Sequence, residues 1–198
     1  MIRTSNAKDE QKIIEVATRS GLFENSQAEE LKSMLADFHQ EEETHELWLV
    51  DDQAGEIVSI AYLAPERMTH GTWNLFLIAV HPEYQRRGFG VRMLKEVISL
   101  LKERGERMLL VETSGTSEFD YVREFYKANG FNEEAKIREF YESGVDRIIE
   151  MLEQGVNEGS IGIGLNSGYA PGYGYKEVLA VHQLAAQLNV PTFTSLLS

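Results

Sequence analysis

The stretch Leu75-Phe76-Leu77-Ile78-Ala79-Val80-His81-Pro82-Glu83-Tyr84-Gln85-Arg86-Arg87-Gly88-Phe89-Gly90-Val91 decides how this chain is read. Its first six residues form an apolar, β-forming run, which His81-Pro82-Glu83-Tyr84 punctuates. From about Gly90 the spacing changes, and Val91, Leu94, Val97, Ile98 and Leu101 recur on one helical face. An apolar strand therefore hands over to an amphipathic helix through Gln85-Arg86-Arg87-Gly88-Phe89-Gly90. The first turn of a helix leaves backbone N–H groups unpaired and carries the positive end of the macrodipole, so an anion is favoured there. Gly88 and Gly90 lack the side chains that would hold a pyrophosphate away from those amides.

Two common phosphate motifs are excluded. No Gly-Lys-Ser/Thr follows, so this is not a P-loop, and the Gly-x-Gly-x-x-Gly spacing of a dinucleotide fingerprint is missing. A Gly-rich turn with two solvated arginines is the plainer alternative, and the turn pattern alone does not separate the two.

Working outward, Met108-Leu109-Leu110-Val111-Glu112 reads as the next strand, buried on both faces until Glu112. Phe119 to Lys127 reads as a helix stopped by Asn129-Gly130, and Ile137 to Tyr141 with Asp146 to Leu152 as a hairpin around Ser143-Gly144. Upstream, Ile2-Arg3-Thr4 is a short strand, and Asp9 to Arg19 is a helix ended by Gly21. Ser26-x-x-Glu29 is a capping box opening a second helix with Leu31, Met34, Leu35 and Phe38 on one face. Glu46 to Val50 and Glu56 to Ala64 are strands joined by the turn Asp51-Asp52-Gln53-Ala54-Gly55.

With these elements in place, the chain resembles the GCN5-related N-acetyltransferase superfamily. Ile78 to Gly90 resembles that family's acetyl-coenzyme A motif, and Phe125-Tyr126-Lys127-Ala128-Asn129-Gly130-Phe131 resembles its Phe-Tyr-x-x-x-Gly-Phe signature. The resemblance covers about residues 1 to 153 and is nearest to a single-domain branch, through Val111-Glu112-Thr113-Ser114 and Phe140 to Asp146. It implies an α+β (α/β/α) fold: a central mixed, mostly antiparallel sheet with a splayed strand pair, flanked by helices. It also implies acetyl-CoA as co-substrate, direct attack by an amine in a ternary complex, and an acceptor groove bordered by the first two helices. In that frame the backbone of Ile78, Ala79 and Val80 pairs with the pantetheine. Gln85, Arg86, Arg87, Gly88, Phe89, Gly90 and Val91 hold the pyrophosphate.

Acetyl transfer to an amine needs a base, an oxyanion donor and a proton for the departing thiolate. The resemblance gives Glu112 the role of general base and Tyr126 that of general acid. For Glu112 the other reading is a strand-end carboxylate facing solvent or paired with an arginine. For Tyr126 it is a half-buried helix aromatic beside Phe125. Many relatives place an Asn soon after the glutamate-bearing strand, whereas here the longer loop Thr113-Ser114-Gly115-Thr116-Ser117-Glu118 offers Ser114 and Ser117 as cofactor contacts. His81, before Pro82, reads as a turn residue rather than a catalytic base, and Trp73 and Asn74 read either as core or as facing the acceptor.

Composition bounds the rest. At 198 residues, 42% hydrophobic and 26% charged, the chain suits one soluble domain with an appendage. The absence of cysteine excludes disulfides and an acyl-cysteine intermediate, and five scattered histidines show no metal spacing. A net charge of −13 opposes binding to nucleic acid, and it either favours cationic acceptors, a small-molecule amine or a peptide amine, or serves solubility alone. Glu41-Glu42-Glu43 reads either as a solvated acidic face or as a rim that steers cations. No apolar run approaches a bilayer span and no signal-peptide core opens the chain, so a cytoplasmic location is expected.

The character changes after residue 153. Residues 155 to 174 contain seven glycines and one charge. The expected division is 1–153, an acetyl-CoA-binding N-acetyltransferase domain, and 154–198, a Gly-rich strand and linker with a helix over Lys176 to Asn189. Such a unit needs a partner surface, either its own domain or a second subunit in a homodimer. The alternative to an enzyme is a coenzyme A-binding regulatory or scaffold protein without turnover.

Overall fold

A computed structural model describes residues 1–21, 28–40, 45–153, 163–164 and 192–193. Strand β1 (Ile2–Thr4) leads through a single 3-10 turn into α1 (Glu10–Arg19), followed by α2 (Ala28–Gln40). Next come β2 (Leu47–Gln53), β3 (Glu56–Pro65) and β4 (Thr72–Val80), then α3 (Phe89–Glu103) and β5 (Met108–Ser114). Helix α4 (Asp120–Ala128) and the hairpin β6 (Asn132–Glu142) and β7 (Val145–Glu153) complete the sheet. A separate pair, Ile163–Gly164 with Thr192–Phe193, is parallel. The capping-box residue Ser26, the Glu41 to Glu43 run and the helix expected at Lys176 to Asn189 lie outside the described residues.

The seven strands run β1-β2-β3-β4-β5-β7-β6. Every pairing is antiparallel except that of β4 with β5. Alternation along each strand sends neighbouring residues to opposite faces, and two cores result. On one face Leu47, Leu49, Leu63, Trp73, Leu109 and Val111 meet Met93, Leu94, Val97 and Leu101 of α3 and Tyr126 of α4. On the other, Trp48, Val50, Ile60, Leu77 and Ala79 meet Ile13 and Val16 of α1 and Leu31, Leu35 and Phe38 of α2. Each fully buried aliphatic side chain contributes about 1.5–3 kcal/mol of transfer free energy.

Two local expectations change. The turn between β2 and β3 is shorter than the charged run suggests, with only Ala54 (φ 56°) and Gly55 (φ 94°) at positive φ, a primed two-residue hairpin. Asp51 stays in β2, fully buried, because Arg92 and Gln53 donate hydrogen bonds of 2.9 and 2.6 Å to its carboxylate. In β5, burial alternates instead of covering both faces. The α1–α2 core draws on β2, β3 and β4 but on no residue of β5, so Leu110, Glu112 and Ser114 are only half-buried.

Candidate functional site

The parallel pairing of β4 with β5 is brief: Thr72 with Met108, Trp73 with Leu109 and Asn74 with Leu110. Past Asn74 the strands part. Strand β4 runs on to Val80 held by β3, and β5 to Ser114 held by β7. The facing edges around Ile78, Ala79 and Val80 therefore keep backbone groups without a strand partner among the described residues, the situation that invites an extended amide chain. Val80 is partly served, since Gln85 Nε2 donates to its carbonyl at 3.1 Å.

Where β4 ends, the chain turns sharply. His81 is buried, with Nδ1 accepting from the Glu83 amide at 3.4 Å and Nε2 3.1 Å from Arg19, so it fixes the turn. Arg86 takes a left-handed φ of 58° and Gly88, the N-cap of α3, one of 85°. Gln85, Arg86, Arg87 and Gly88 are exposed. The Arg87 guanidinium lies 5.6 Å from the Tyr84 ring centroid, and Phe89 meets the same ring edge-on. A Cβ on Gly88 would meet nothing within 4 Å, whereas one on Gly90 would lie 3.6 Å from Val80 and 3.8 Å from Phe125. A hollow of about 570 Å³ lined by Gly88, Val91, Arg92, Lys95 and Glu96 follows the first turns of α3. Free helix-start amides, exposed arginines and a parted sheet side by side fit a diphosphate with an amide-bearing tail.

Glu112 lies on the face of β5 away from α4. Its carboxylate accepts a 3.0 Å hydrogen bond from Asn74 Nδ2 and forms an ion pair with Arg147 of β7. Pairing with an arginine is the alternative that the sequence leaves open. The Arg147 guanidinium also lies 4.6 Å from the Phe140 ring centroid. Burial works to lower its pKa, and the Glu66 carboxylate opposes this.

Tyr126 is 3% exposed, its ring between Phe125 and Phe131. Burial, with the charge of Glu150 adding to it, pushes the phenol well above its ordinary range. It therefore stays protonated at neutral pH. Glu150 is itself buried on β7 across from Val111, and desolvation pushes its carboxyl up to about 7.

Ser114 is turned into its own loop: its Oγ lies 3.2 Å from Thr116 Oγ1 and accepts from the Thr116 amide at 3.3 Å. Ser117, exposed, opens the turn before α4. Arg123 donates to the carbonyls of Ser114 and Thr116, clipping this loop to α4. Gly115 is needed for close approach, because a Cβ there would come within 3.0 Å of Asp146. Sequence reasoning missed Arg123, Arg147 and Glu150, and favoured core over an acceptor-facing position for Asn74. The alternation of β7, which puts Arg147 and Glu150 on opposite faces and flanks each with apolar neighbours at Ile148, Ile149 and Met151, was the available signal.

The parted strands and the glycine-led helix define an acyl-donor fold, and the chain belongs to the acetyltransferase (GNAT) family, whose model matches residues 12–131. Over 68 residues it is 37% identical to the [ribosomal protein bS18]-alanine N-acetyltransferase of Escherichia coli, a match covering 34% of this chain and 45% of that protein. The chain thus spans less than half the length of this curated relative. A GNAT-family protein of Desulfovibrio desulfuricans superposes with a TM-score of 0.74 at 28% identity, over 78% of this chain and 99% of that one. The E. coli ribosomal-protein-S18-alanine N-acetyltransferase gives 0.63 at 24% identity, over 86% and 99%. The latter likeness shows the fold. No helix among the described residues is long and apolar enough to cross a membrane.

Proposed function

We propose that this protein transfers the acetyl group of acetyl-CoA to a primary amine by direct attack in a ternary complex. The observation that carries the reading is the parting of β4 from β5 beside the glycine-led start of α3. Acetyl-CoA supplies a thioester carbonyl and a thiolate leaving group. The backbone of Ile78, Ala79 and Val80 holds the pantetheine and donates an N–H to the thioester oxygen. Gln85 to Val91 hold the pyrophosphate through amides and guanidinium groups. Ser114 and Ser117 border the cofactor from the loop after β5.

Glu112 takes the proton of the acceptor ammonium, directly or through water, so that the neutral amine attacks the carbonyl carbon. As the C–S bond breaks, Tyr126 gives its proton to the sulfur. The catalytic unit is residues 1–153, and the protein works in the cytoplasm. An amine acceptor is supported by the family and by the charge of −13. The partial relative, by its name, acetylates an alanine of ribosomal protein bS18, so peptide α-amines belong among the substrates tried.

One observation favours a second reading. The Glu112 carboxylate is already occupied by Arg147, as suits a coenzyme A-binding regulator without turnover. Thiol release from acetyl-CoA, measured against polyamines, an aminoglycoside, and peptides with free N-terminal alanine or lysine, separates the two. Turnover on any acceptor supports the enzyme; cofactor binding with no turnover on all of them supports the regulator.

A further inference from the structure

Four side chains meet over the outer face of β5 and β7. Arg147 and Glu112 sit diagonally across the strand pair, since Ser114 opposes Arg147 and Glu112 opposes Ile149, a spacing that long side chains bridge. The guanidinium is ion-paired with the Glu112 carboxylate and lies 4.6 Å from the Phe140 ring centroid. A carboxylate and an aromatic ring within reach of one cation are a general arrangement for holding an organic cation. Arg147 fills that arrangement incompletely: its Nε is buried without a hydrogen-bond partner. Asn74, only 1% exposed and bonded to Glu112 through Nδ2, keeps its Oδ1 buried and unpartnered. An unpartnered buried polar atom destabilises the arrangement that leaves it so.

We propose that Glu112, Asn74 and Phe140 form the cation subsite of the acceptor, and that Arg147 is a resident stand-in that must swing out to admit an alkylammonium group. The inference rests on the acetyltransferase reading and adds the residues that receive the acceptor's ammonium and a built-in gate. Donor count supports the exchange. An ammonium has three N–H donors and serves the Glu112 carboxylate and the Asn74 Oδ1 together, whereas Arg147 leaves Asn74 Oδ1 without a partner. The displaced guanidinium has somewhere to go, because Phe140 and Tyr141 are half exposed, and water then serves its Nε. Once Arg147 has left, the Glu112 carboxylate faces the ammonium whose proton it takes. The same contact keeps Glu112 capped in the free protein.

The gate is testable without turnover. Propylammonium chloride is titrated against the full-length protein, in the absence of acetyl-CoA, and saturable stabilisation is followed by thermal unfolding. Arg147→Met keeps the aliphatic stem and removes the plug. If Arg147 occupies the subsite about nine-tenths of the time, this variant binds propylammonium roughly tenfold more tightly than wild type. Lys102→Met, which makes the same charge change on an exposed residue of α3, leaves binding as in wild type. The double variant Arg147→Met with Glu112→Gln loses the gain. Tetramethylammonium, which has no N–H donor, binds Arg147→Met more weakly than propylammonium does. Equal affinity in wild type and Arg147→Met, or a gain that survives Glu112→Gln, overturns the proposal. If Arg147→Met fails to fold, Arg147→Leu replaces it, an uncharged and shorter side chain that leaves Glu112 uncapped, and the same gain is required. Because the readout needs neither acetyl-CoA nor an acceptor reaction, its failure is distinct from failure to acetylate.

Discussion

Asn74 Nδ2 donates a 3.0 Å hydrogen bond to Glu112 Oε1, and Asn74 is the last residue of β4 in register with β5. The side-chain bond pins the two strands where their backbones separate. Sequence position makes Asn74 look like core, and its burial agrees, but its partner makes it part of the candidate site.

Asn74→Ala removes this bond and leaves Glu112 with Arg147 alone. The expected cost is about 1–2 kcal/mol, read as a lower urea midpoint with an unchanged slope. A midpoint equal to wild type would show that the bond adds nothing net at the point of parting.

Tyr126→Phe keeps the ring packed between Phe125 and Phe131 and deletes only the hydroxyl. The turnover rate should fall by about 10²-fold or more, while coenzyme A affinity changes by less than about twofold. Because the phenol is raised above its ordinary pKa near 10, it remains a proton donor throughout the accessible alkaline range. No loss of rate should trace to its ionisation below about pH 10. Equal turnover in mutant and wild type would remove Tyr126 from the mechanism.

Glu150 should make stability depend on pH in a defined window. Its folded-state pKa, pushed up to about 7 by burial, lies above the ordinary 4.5, so its contribution is fully present below about pH 4.5 and is lost as pH rises through 7. The loss is about 2–3 kcal/mol. Urea unfolding at pH 5 and pH 8 should show it in wild type and not in Glu150→Gln. Asp9, Asp52 and Asp146 are lowered by their cationic partners, so their effects fall at more acidic pH. Parallel behaviour of the two proteins would place the titrating group elsewhere.

Gly88→Val separates strain from ligand contact. At φ 85° a β-branched residue is strained by about 1–2 kcal/mol, yet its Cβ meets no protein atom. Stability should therefore drop by that amount only. Coenzyme A affinity, measured by calorimetry at a temperature where the variant is folded, should drop by about tenfold or more. Unchanged affinity would take the pyrophosphate away from this turn.

A chain ending at Glu153 retains all seven strands of the large sheet. It should unfold cooperatively and bind coenzyme A as the full chain does, and light scattering will show whether residues 154–198 alter the oligomeric state. Loss of cofactor binding would move the domain boundary.

Much of this protein is local and was therefore legible in the sequence. The continuous apolar, β-forming run of Leu75 to Val80, the period near 3.6 in Val91 to Leu101 and the two glycines between them determine a strand, a helix and an anion-favouring turn through short-range sterics and backbone hydrogen bonding. Glu112 and Tyr126 became candidates through the resemblance to the family's motifs, not through local sterics. Tertiary structure decided what those residues touch. Register puts Arg147 and Asn74 on Glu112, and Glu150 beside Tyr126, from strands tens of residues away. Only packing sets how much water each retains. A carboxylate's strength, a guanidinium's hold and a phenol's proton depend on desolvation and on charges brought close by the fold, and no linear spacing in the chain encodes either.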